Sequence, residues 1–325
     1  MANSDLAHSR FLGMLQFELE ELAGFLDDPD IVEIMVNPDG QVWLDSHASG
    51  TRRADLVLEP RRTESLLGSI ASFFGKELTG QHPALEALLP HFGYRIAGAI
   101  PPVSSGPMLT IRKPPNTIYT LDDLQDQGLL SSLHRSYLET ALRERKNILV
   151  SGGTGSGKTT FANALLREIS AFAGTDRFVV LEEVPELQLH APNTVFLRTT
   201  PTLPLAALVR LTLWLRPDRI IVGEVRGAEA LDLLKSWNTG HPGGVTTIHA
   251  NSAASTLSRL DQLAMEGGAA SQRRLIAETI DLIVHIAGRG TTRRVQELSV
   301  VRGLLADGSS FDLLPLFKER PSCTS

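Results

Sequence analysis

The chain has almost none of the residues that covalent cross-links, zinc clusters and membrane spans require. Cys323 is the single cysteine among 325 residues, which excludes an intrachain disulfide and a four-cysteine zinc site. No apolar run approaches the ~20 residues of a transmembrane helix, and the polar start Met1–Arg10 predicts no secretory signal. We therefore expect a cytoplasmic protein whose membrane association, if any, is peripheral and occurs through partners.

An excess of basic residues is also missing. Lys and Arg total 31 against 37 Asp and Glu, a formal net charge of −6, so we expect no direct nucleic-acid binding. The contents of apolar residues, 42%, and of charged residues, 21%, are those of a soluble globular protein. A chain of this length predicts about two domains.

The first 115 residues predict a small mixed α/β domain. Leucines recur at three- and four-residue intervals from Leu12 to Leu26, as on one face of a helix. Two strands are expected on either side of the Asn37–Gly40 turn, a second helix from Pro60 to Phe74, and two more strands at Tyr94–Ile100 and Met108–Arg112. We therefore place an N-terminal α/β domain at 1–115.

A second domain is predicted after a linker at 116–128, because the two prolines before it continue neither a helix nor a central strand. From residue 129 to 265, helical and strand patterns alternate, which indicates a mostly parallel sheet covered by helices. The segment 282–317 is expected to add short antiparallel strands. The sequence thus predicts an α/β domain at 129–325.

The most informative segment, 152–159, reads GGTGSGKT and follows the apolar run Ile148–Val150. Its glycines allow successive backbone N–H groups to point at one anion, and the helix that follows adds the positive end of its dipole. Lys158 is expected to reach the β- and γ-phosphates and Thr159 to ligate Mg²⁺, so ATP and Mg²⁺ are the predicted cofactors. The predicted nucleotide-binding residues are Gly152, Gly153, Thr154, Gly155, Ser156, Gly157, Lys158, Thr159 and Thr160.

Acidic residues at two strand ends are candidates for metal binding and water activation, because ligands of a parallel sheet bind beyond the carboxyl ends of its strands. Glu224 follows the apolar segment 219–223 and is expected to hold Mg²⁺ or orient the attacking water. Glu182 and Glu183 end another apolar run, and alternation places them on opposite faces. We assign the catalytic role to Glu182.

His249 ends a third expected strand, in the run GHPGGVTTIHAN. A histidine at this place is able to sense a γ-phosphate. Most histidines, however, are packing residues, so the residue by itself does not decide between the two roles.

Four segments, in this order and spacing, resemble the Walker A, Asp-box, Walker B and His-box motifs of the ATPases of type IV secretion, type II secretion and pilus systems. They read SGGTGSGKTT, VVLEEVPELQ, LRPDRIIVGEVRG and TGHPGGVTTIHAN. The runs ALDLLKSWNTGHPGG and MVNPDG look most like the conjugal-transfer, TrbB-like branch. The resemblance covers nearly the whole chain and implies that His249 reads the γ-phosphate state.

The resemblance also implies a hexameric ring of two-domain subunits, in which the smaller domain folds over nucleotide held by a RecA-like domain. It implies that Arg95, in GYRIAGAIPP, and Arg112, in LTIRKP, reach nucleotide phosphates as catalytic residues. The planar guanidinium group suits that task. The implied partners are components of an inner-membrane secretion or conjugation machinery.

Two positions depart from the family pattern. Glu183 stands where the family usually has an aspartate, which keeps the charge but adds a methylene and alters metal geometry. Trp214 stands where relatives often have an arginine, while Arg210 and Arg216 remain. Both departures are expected to affect the rate of ATP hydrolysis.

The sequence therefore predicts an Mg²⁺-dependent ATPase ring that powers conjugative DNA transfer, type IV secretion or pilus biogenesis. A pilus-retraction or type II secretion motor is an alternative within the same superfamily. The single cysteine argues against the members that carry a four-cysteine zinc module. A small-molecule kinase and a nucleotide-gated scaffold stay open as well, because a P-loop alone does not identify the phosphate acceptor.

Overall fold

The computed structural model describes residues 11–89, 92–115 and 117–318. Contacts among residues divide the chain into two compact units, Met1–Asn116 and Thr117–Ser325. None of the helices in the described ranges is long and apolar enough to cross a membrane. The expectations for Met1–Arg10 and Cys323 concern residues outside these ranges.

The first unit contains a six-stranded antiparallel sheet in the order β3-β2-β1-β6-β5-β4. The strands are β1 (Ile31–Val36), β2 (Gln41–Ser46), β3 (Gly50–Val57), β4 (Ala84–Leu88), β5 (Arg95–Ala99) and β6 (Met108–Arg112). Its described helices are residues 11–18 (α1), Ala23–Asp27 (α2) and Pro60–Phe73 (α3).

The apolar spacing of α3 explains how this unit is held together. The helix begins at Pro60, where the missing N–H would have no helical partner in any case. It buries Leu67 and Ile70, and the same core takes in Ile34 of β1 and Ile111 of β6. The helix and the sheet therefore share one apolar core.

The second unit contains an eight-stranded sheet in the order β14-β13-β12-β7-β11-β10-β8-β9. The strands are β7 (Ile148–Gly152), β8 (Phe178–Glu182), β9 (Thr194–Arg198), β10 (Arg219–Glu224), β11 (Val245–His249), β12 (Leu282–Ala287), β13 (Arg294–Leu304) and β14 (Phe311–Lys318). The described helices are α4 (Leu121–Asp126), α5 (Ser132–Arg143), α6 (Lys158–Phe172), α7 (Leu205–Thr212), α8 (Glu229–Asn238), α9 (Ala253–Met265) and α10 (Arg273–Thr279).

This sheet is mostly parallel. The strands from β12 to β9 run parallel, and β13 and β14 are added antiparallel at one edge. Every residue of β7 is buried, because helices cover both faces of the sheet. One core takes Val150 together with Phe161 of α6, and the other takes Leu149 together with Leu208 of α7 and Leu233 of α8. The predicted α/β fold class is confirmed.

Some elements differ from the sequence expectation. The segment 116–128, predicted as a linker, contains α4. Thr120 is the N-cap of this helix and forms a capping box with Asp123. Leu121 and Leu124 of this helix are buried in the core of the second unit. The edge strands β3, β4 and β9 and the short helix α10 have no counterpart in the prediction. The exposed positions of these three strands interrupt the apolar pattern.

Candidate active site

The loop that was predicted to bind phosphate connects β7 to α6. Gly155 and Gly157 have positive φ angles of 73° and 91°, which residues with side chains rarely adopt. Gly157 is the N-cap of α6, so the helix begins at Lys158. A loop of this shape that ends at a helix N-terminus turns its N–H groups toward one point, and this geometry fits a chain of phosphates.

The residues of the phosphate loop differ from one another in their exposure to solvent. The tip is open to solvent, while the hydroxyl oxygen of Ser156 is buried and has no hydrogen-bond partner within the described part of the chain. Gly153, Thr154 and Gly155 are exposed, Gly152 and Lys158 are buried, and Thr159 and Thr160 are half-buried in the first turn of α6.

Four strand ends bring the predicted residues to one edge of the sheet. The strands β7, β11, β10 and β8 are adjacent and parallel. They end, in that order, at Gly152, His249, Glu224 and Glu182. Because parallel strands end at the same edge, the phosphate loop, the histidine and both carboxylates form one row there.

His249 lies between two of the other predicted residues. Its Nδ1 is 3.3 Å from Nζ of Lys158, and its Nε2 is 2.8 Å from Oε1 of Glu224. Since an ammonium group only donates hydrogen bonds, Nδ1 is the acceptor, and a neutral ring then carries its proton on Nε2, the nitrogen nearer to Glu224. Loss of hydration and then the charge of Lys158 lower the pKa of His249, although Glu224 raises it. The geometry and the pKa both favour a neutral imidazole.

Arg226 extends this row of contacts, although the sequence analysis did not single it out. Its Nε donates to Oε2 of Glu224 at 2.7 Å, and its Nη1 lies 3.4 Å from Oε2 of Glu183. Its position two residues after the strand-end carboxylate, in the run GEVRG, was the available signal. The arginine balances the negative charge of the two glutamates.

The adjacent carboxylates of the acidic box have different surroundings. Glu182 is 3% exposed, and its Oε1 accepts the N–H groups of Glu186 at 2.8 Å and Leu187 at 2.6 Å. Burial raises the pKa of Glu182, although these two hydrogen bonds act in the opposite direction. Glu183 is exposed. Glu182 thus holds the turn after β8, and its catalytic role stays a prediction.

Glu186 is a further site residue that the sequence analysis missed, although it lies in the acidic run EEVPE. The hydroxyl of Thr159 donates to Oε2 of Glu186 at 3.2 Å, and Nδ2 of Asn163 donates to the carbonyl oxygen of Glu186 at 2.9 Å. Hydroxyl and carboxylate oxygens are the ligands that Mg²⁺ prefers. The sequence assigned Thr159 and Glu224 to this ion, and Glu186 adds another oxygen donor beside Thr159.

No group of three or more His, Cys, Asp or Glu residues in the described ranges could hold a metal ion by itself. A Mg²⁺ ion in a nucleotide site commonly takes only one or two protein ligands and keeps phosphate oxygens and water for the rest. The oxygen donors present therefore fit an ion that arrives with a nucleotide.

In the first unit, Arg95 of β5 and Arg112 of β6 are directly opposite each other. Glu33 of β1 is opposite Arg112 on the other side. Burial raises the pKa of Glu33, although Arg112 lowers it. Like charges on opposite strands destabilise a sheet, and the negative charge of Glu33, which interacts with both arginines, offsets part of this repulsion. Their catalytic role stays a prediction.

Trp214, which departs from the family pattern expected from the sequence, lies on the surface. Trp214 follows α7 and is 87% exposed. Arg210 of α7 forms a 2.6 Å ion pair with Asp232 of α8, and Arg216 has a positive φ of 54°. Arg210 therefore links two helices, whereas Trp214 leaves a large aromatic side chain in solvent.

Comparisons with known proteins agree with these observations. Residues 82–296 match the family model described as type II/IV secretion system protein. The conjugal transfer protein TrbB of Rhizobium radiobacter is 44% identical over 298 residues, which cover 91% of this chain and 92% of the relative. The type IV secretion system protein PtlH of Bordetella pertussis is 34% identical, over 90% of this chain and 96% of the relative.

A solved structure supports the fold. The Yersinia pseudotuberculosis ATPase DotB matches with a TM-score of 0.63 at 16% identity, over 91% of this chain and 80% of that chain. At this identity the likeness concerns the architecture alone.

Proposed function

The chain belongs to the type II/IV secretion system protein family, and from this premise we propose that it is an Mg²⁺-dependent ATPase that powers conjugative DNA transfer. The relatives named for conjugal transfer and for type IV secretion support this assignment, since each aligns over at least 90% of the chain. Type IV secretion and pilus biogenesis by machinery of the same type belong to the same proposal.

One observation carries the ATPase proposal: Lys158, His249 and Glu224 form a continuous row of contacts beside a phosphate-shaped loop. Lys158 shares its ammonium group between the carbonyl oxygen of Gly153, at 3.0 Å, and Nδ1 of His249. A phosphate oxygen would replace one of these acceptors, because it carries more negative charge than either. His249 would thereby register whether the phosphate is present.

The remaining residues have distinct tasks in this proposal. Bound Mg²⁺ would neutralise phosphate charge, with Thr159 and Glu224 holding it and Glu186 beside it. Glu182 would orient or deprotonate the attacking water. Arg95 and Arg112 would supply positive charge to phosphate oxygens, as the resemblance implies.

We also propose that the protein works as a homo-hexameric ring at the cytoplasmic side of the inner membrane, bound there to components of the secretion machinery. The family membership supports this arrangement. Native mass measured with and without ATP tests it, because a ring predicts a species of six subunits and a monomer in both conditions would contradict it.

The test of the enzymatic proposal is phosphate release from ATP by the wild-type protein and by Lys158→Ala. We expect the variant to lose at least about a hundredfold in turnover, since it removes a charge from the site where negative charge develops. Lys146→Ala is the matched control, because Lys146 is half-exposed and pairs with Asp281 at 3.4 Å. Equal turnover of Lys158→Ala and wild type would contradict the proposal.

The same assay separates the two other classes of function. A kinase would transfer the phosphate to an acceptor, so phosphorylated product would appear in place of free phosphate. A nucleotide-gated scaffold would bind ATP without appreciable turnover, both alone and with membrane partners.

A further inference from the structure

The segment between β12 and β13 lies against the phosphate loop. β12 is the parallel neighbour of β7, and Ile286 of β12 is opposite Gly152, the first residue of the loop. After β12 the chain passes through a short 3-10 turn at Gly290–Thr292, and Arg293 follows directly before β13. The segment 282–317, for which the sequence predicted only short strands, therefore contributes a connection that lies beside the nucleotide site.

Arg293 contacts the phosphate loop at two glycines. Its Nη2 donates to the carbonyl oxygen of Gly155 at 3.3 Å. A Cβ built on Gly157 would lie 2.9 Å from Cδ and 3.0 Å from Nε of Arg293, so the arginine side chain covers Gly157 closely. Both the hydrogen bond and the packing involve the half of the loop that has positive φ angles.

These contacts have a consequence for anion binding. A loop that turns its N–H groups toward a phosphate turns carbonyl oxygens away from it, and a side-chain donor on that side holds the loop in this conformation. Arg293 supplies such a donor to Gly155. A charged donor makes a stronger hydrogen bond than a neutral one, and its positive charge is near the place where phosphates would bind.

We propose that Arg293 is a positioning residue of the nucleotide site, which holds residues 155–157 in the conformation that accepts the phosphates of a nucleoside di- or triphosphate. The inference rests on the proposed function, because it concerns the same site. Arg293 acts through the loop backbone, so it contributes to nucleotide affinity and not to the chemical step.

The test compares Arg293→Met with Arg302→Met. The methionine keeps an unbranched stem over Gly157 and removes only the charged donor, so the variant is expected to fold. Arg302 lies on β13, is half-exposed and pairs with Asp312 at 2.8 Å, which makes it the matched control. Calorimetric titration with MgADP gives the affinity, steady-state hydrolysis gives KM and kcat, and thermal unfolding reports folding.

For Arg293→Met we expect about tenfold weaker binding of MgADP and a KM for ATP raised by about the same factor, the loss expected for one charge-assisted hydrogen bond. We expect kcat to stay within about twofold of wild type, because ground-state and transition-state binding weaken equally. Arg302→Met is expected to match wild type in all three quantities.

Unchanged affinity of Arg293→Met for MgADP would overturn the inference. So would a fall in kcat with unchanged KM, since that pattern indicates a loss of active protein or an effect on the chemical step. Absence of MgADP binding by the wild-type protein would instead contradict the proposed function, so the two failures are distinguishable.

Discussion

Nε2 of His249 lies 2.8 Å from Oε1 of Glu224, at the ends of the neighbouring parallel strands β11 and β10. The contact joins the residue expected to read the γ-phosphate to the residue expected to support Mg²⁺. Because Nδ1 of the same ring faces Lys158 at 3.3 Å, one imidazole ring lies between the lysine of the glycine loop and the carboxylate.

The first prediction concerns Glu224. Glu224→Gln keeps the shape of the side chain but removes the negative charge that faces His249 and Arg226. We expect nucleotide affinity to stay within about threefold and turnover to fall about a hundredfold or more, as for the loss of a charge needed in the transition state. Phosphate-release kinetics and nucleotide titration measure both. Glu278→Gln, at an exposed i,i+4 pair with Arg274, is the control, and wild-type turnover in Glu224→Gln would refute the role.

The second prediction concerns the pH dependence of turnover. Burial raises the pKa of Glu182 above that of an ordinary glutamate. If Glu182 is the base, it takes up a proton as the pH falls through this raised value, so the acid limb of the kcat profile lies above the ordinary glutamate pKa of about 4.3. The measurement is kcat against pH for wild type and for Glu183→Gln, which alters only the exposed neighbour. An acid limb at or below the ordinary value would rule out Glu182.

The third prediction concerns stability in acid. His285 of β12 is buried, its Nδ1 lies 3.1 Å from the hydroxyl of Ser151, and burial lowers the pKa of His285 although Glu297 raises it. The unfolded chain therefore binds the proton more readily than the native state. The stabilising contribution is complete above the ordinary histidine pKa of about 6.5 and is lost as the pH falls from there through the lowered native pKa.

Denaturant unfolding at a series of pH values checks this. We expect the free energy of unfolding of wild type to decrease between about pH 7.5 and about pH 5.5, and to decrease less in His285→Gln. His190→Gln, at an exposed histidine, serves as the control and keeps the wild-type slope. Identical slopes in wild type and His285→Gln would contradict the assignment.

The fourth prediction concerns Gly244, the last glycine of the TGHPGG run. A Cβ on Gly244 would lie 2.1 Å from Cε2 of the buried Trp237, whose indole N–H donates to the carbonyl oxygen of Ile220 at 3.0 Å. Gly244→Ala therefore overpacks the core, and we expect a loss of about 1–3 kcal/mol in the free energy of unfolding. Chemical denaturation measures it. Gly174→Ala, where a Cβ meets nothing within 4 Å, is the control, and equal stability of the two variants would disprove the packing argument.

Much of the row of strand-end residues could be predicted from the sequence, because each of them stands at, or directly after, the end of a predicted strand. Gly152, Glu182, Glu224 and His249 all close strands, and parallel strands of one sheet end at one edge. Their order along that edge could not be predicted, since the order β7-β11-β10-β8 differs from the order in the chain. Arg95 and Arg112 could be named only through the family resemblance.

The elements that the sequence analysis missed share a physical cause. The edge strands β3, β4 and β9 have exposed positions that obscure the apolar alternation. The helix α4 begins a few residues after the two prolines that mark a boundary, and its burial in the core of the second unit shows that it belongs to that unit. Local patterns are weak where half of a short element faces solvent.

By itself, the sequence determined the shape of the glycine loop before α6, because glycines at fixed spacing before a helix impose their geometry within a few residues. It also determined the mostly parallel sheet through the alternation of strand and helix patterns. Only the tertiary structure decided that His249 meets Glu224, that Glu186 meets Thr159 and that Arg293 meets Gly155. Such contacts join distant parts of the chain, and they depend on strand order and core packing, which no local pattern specifies.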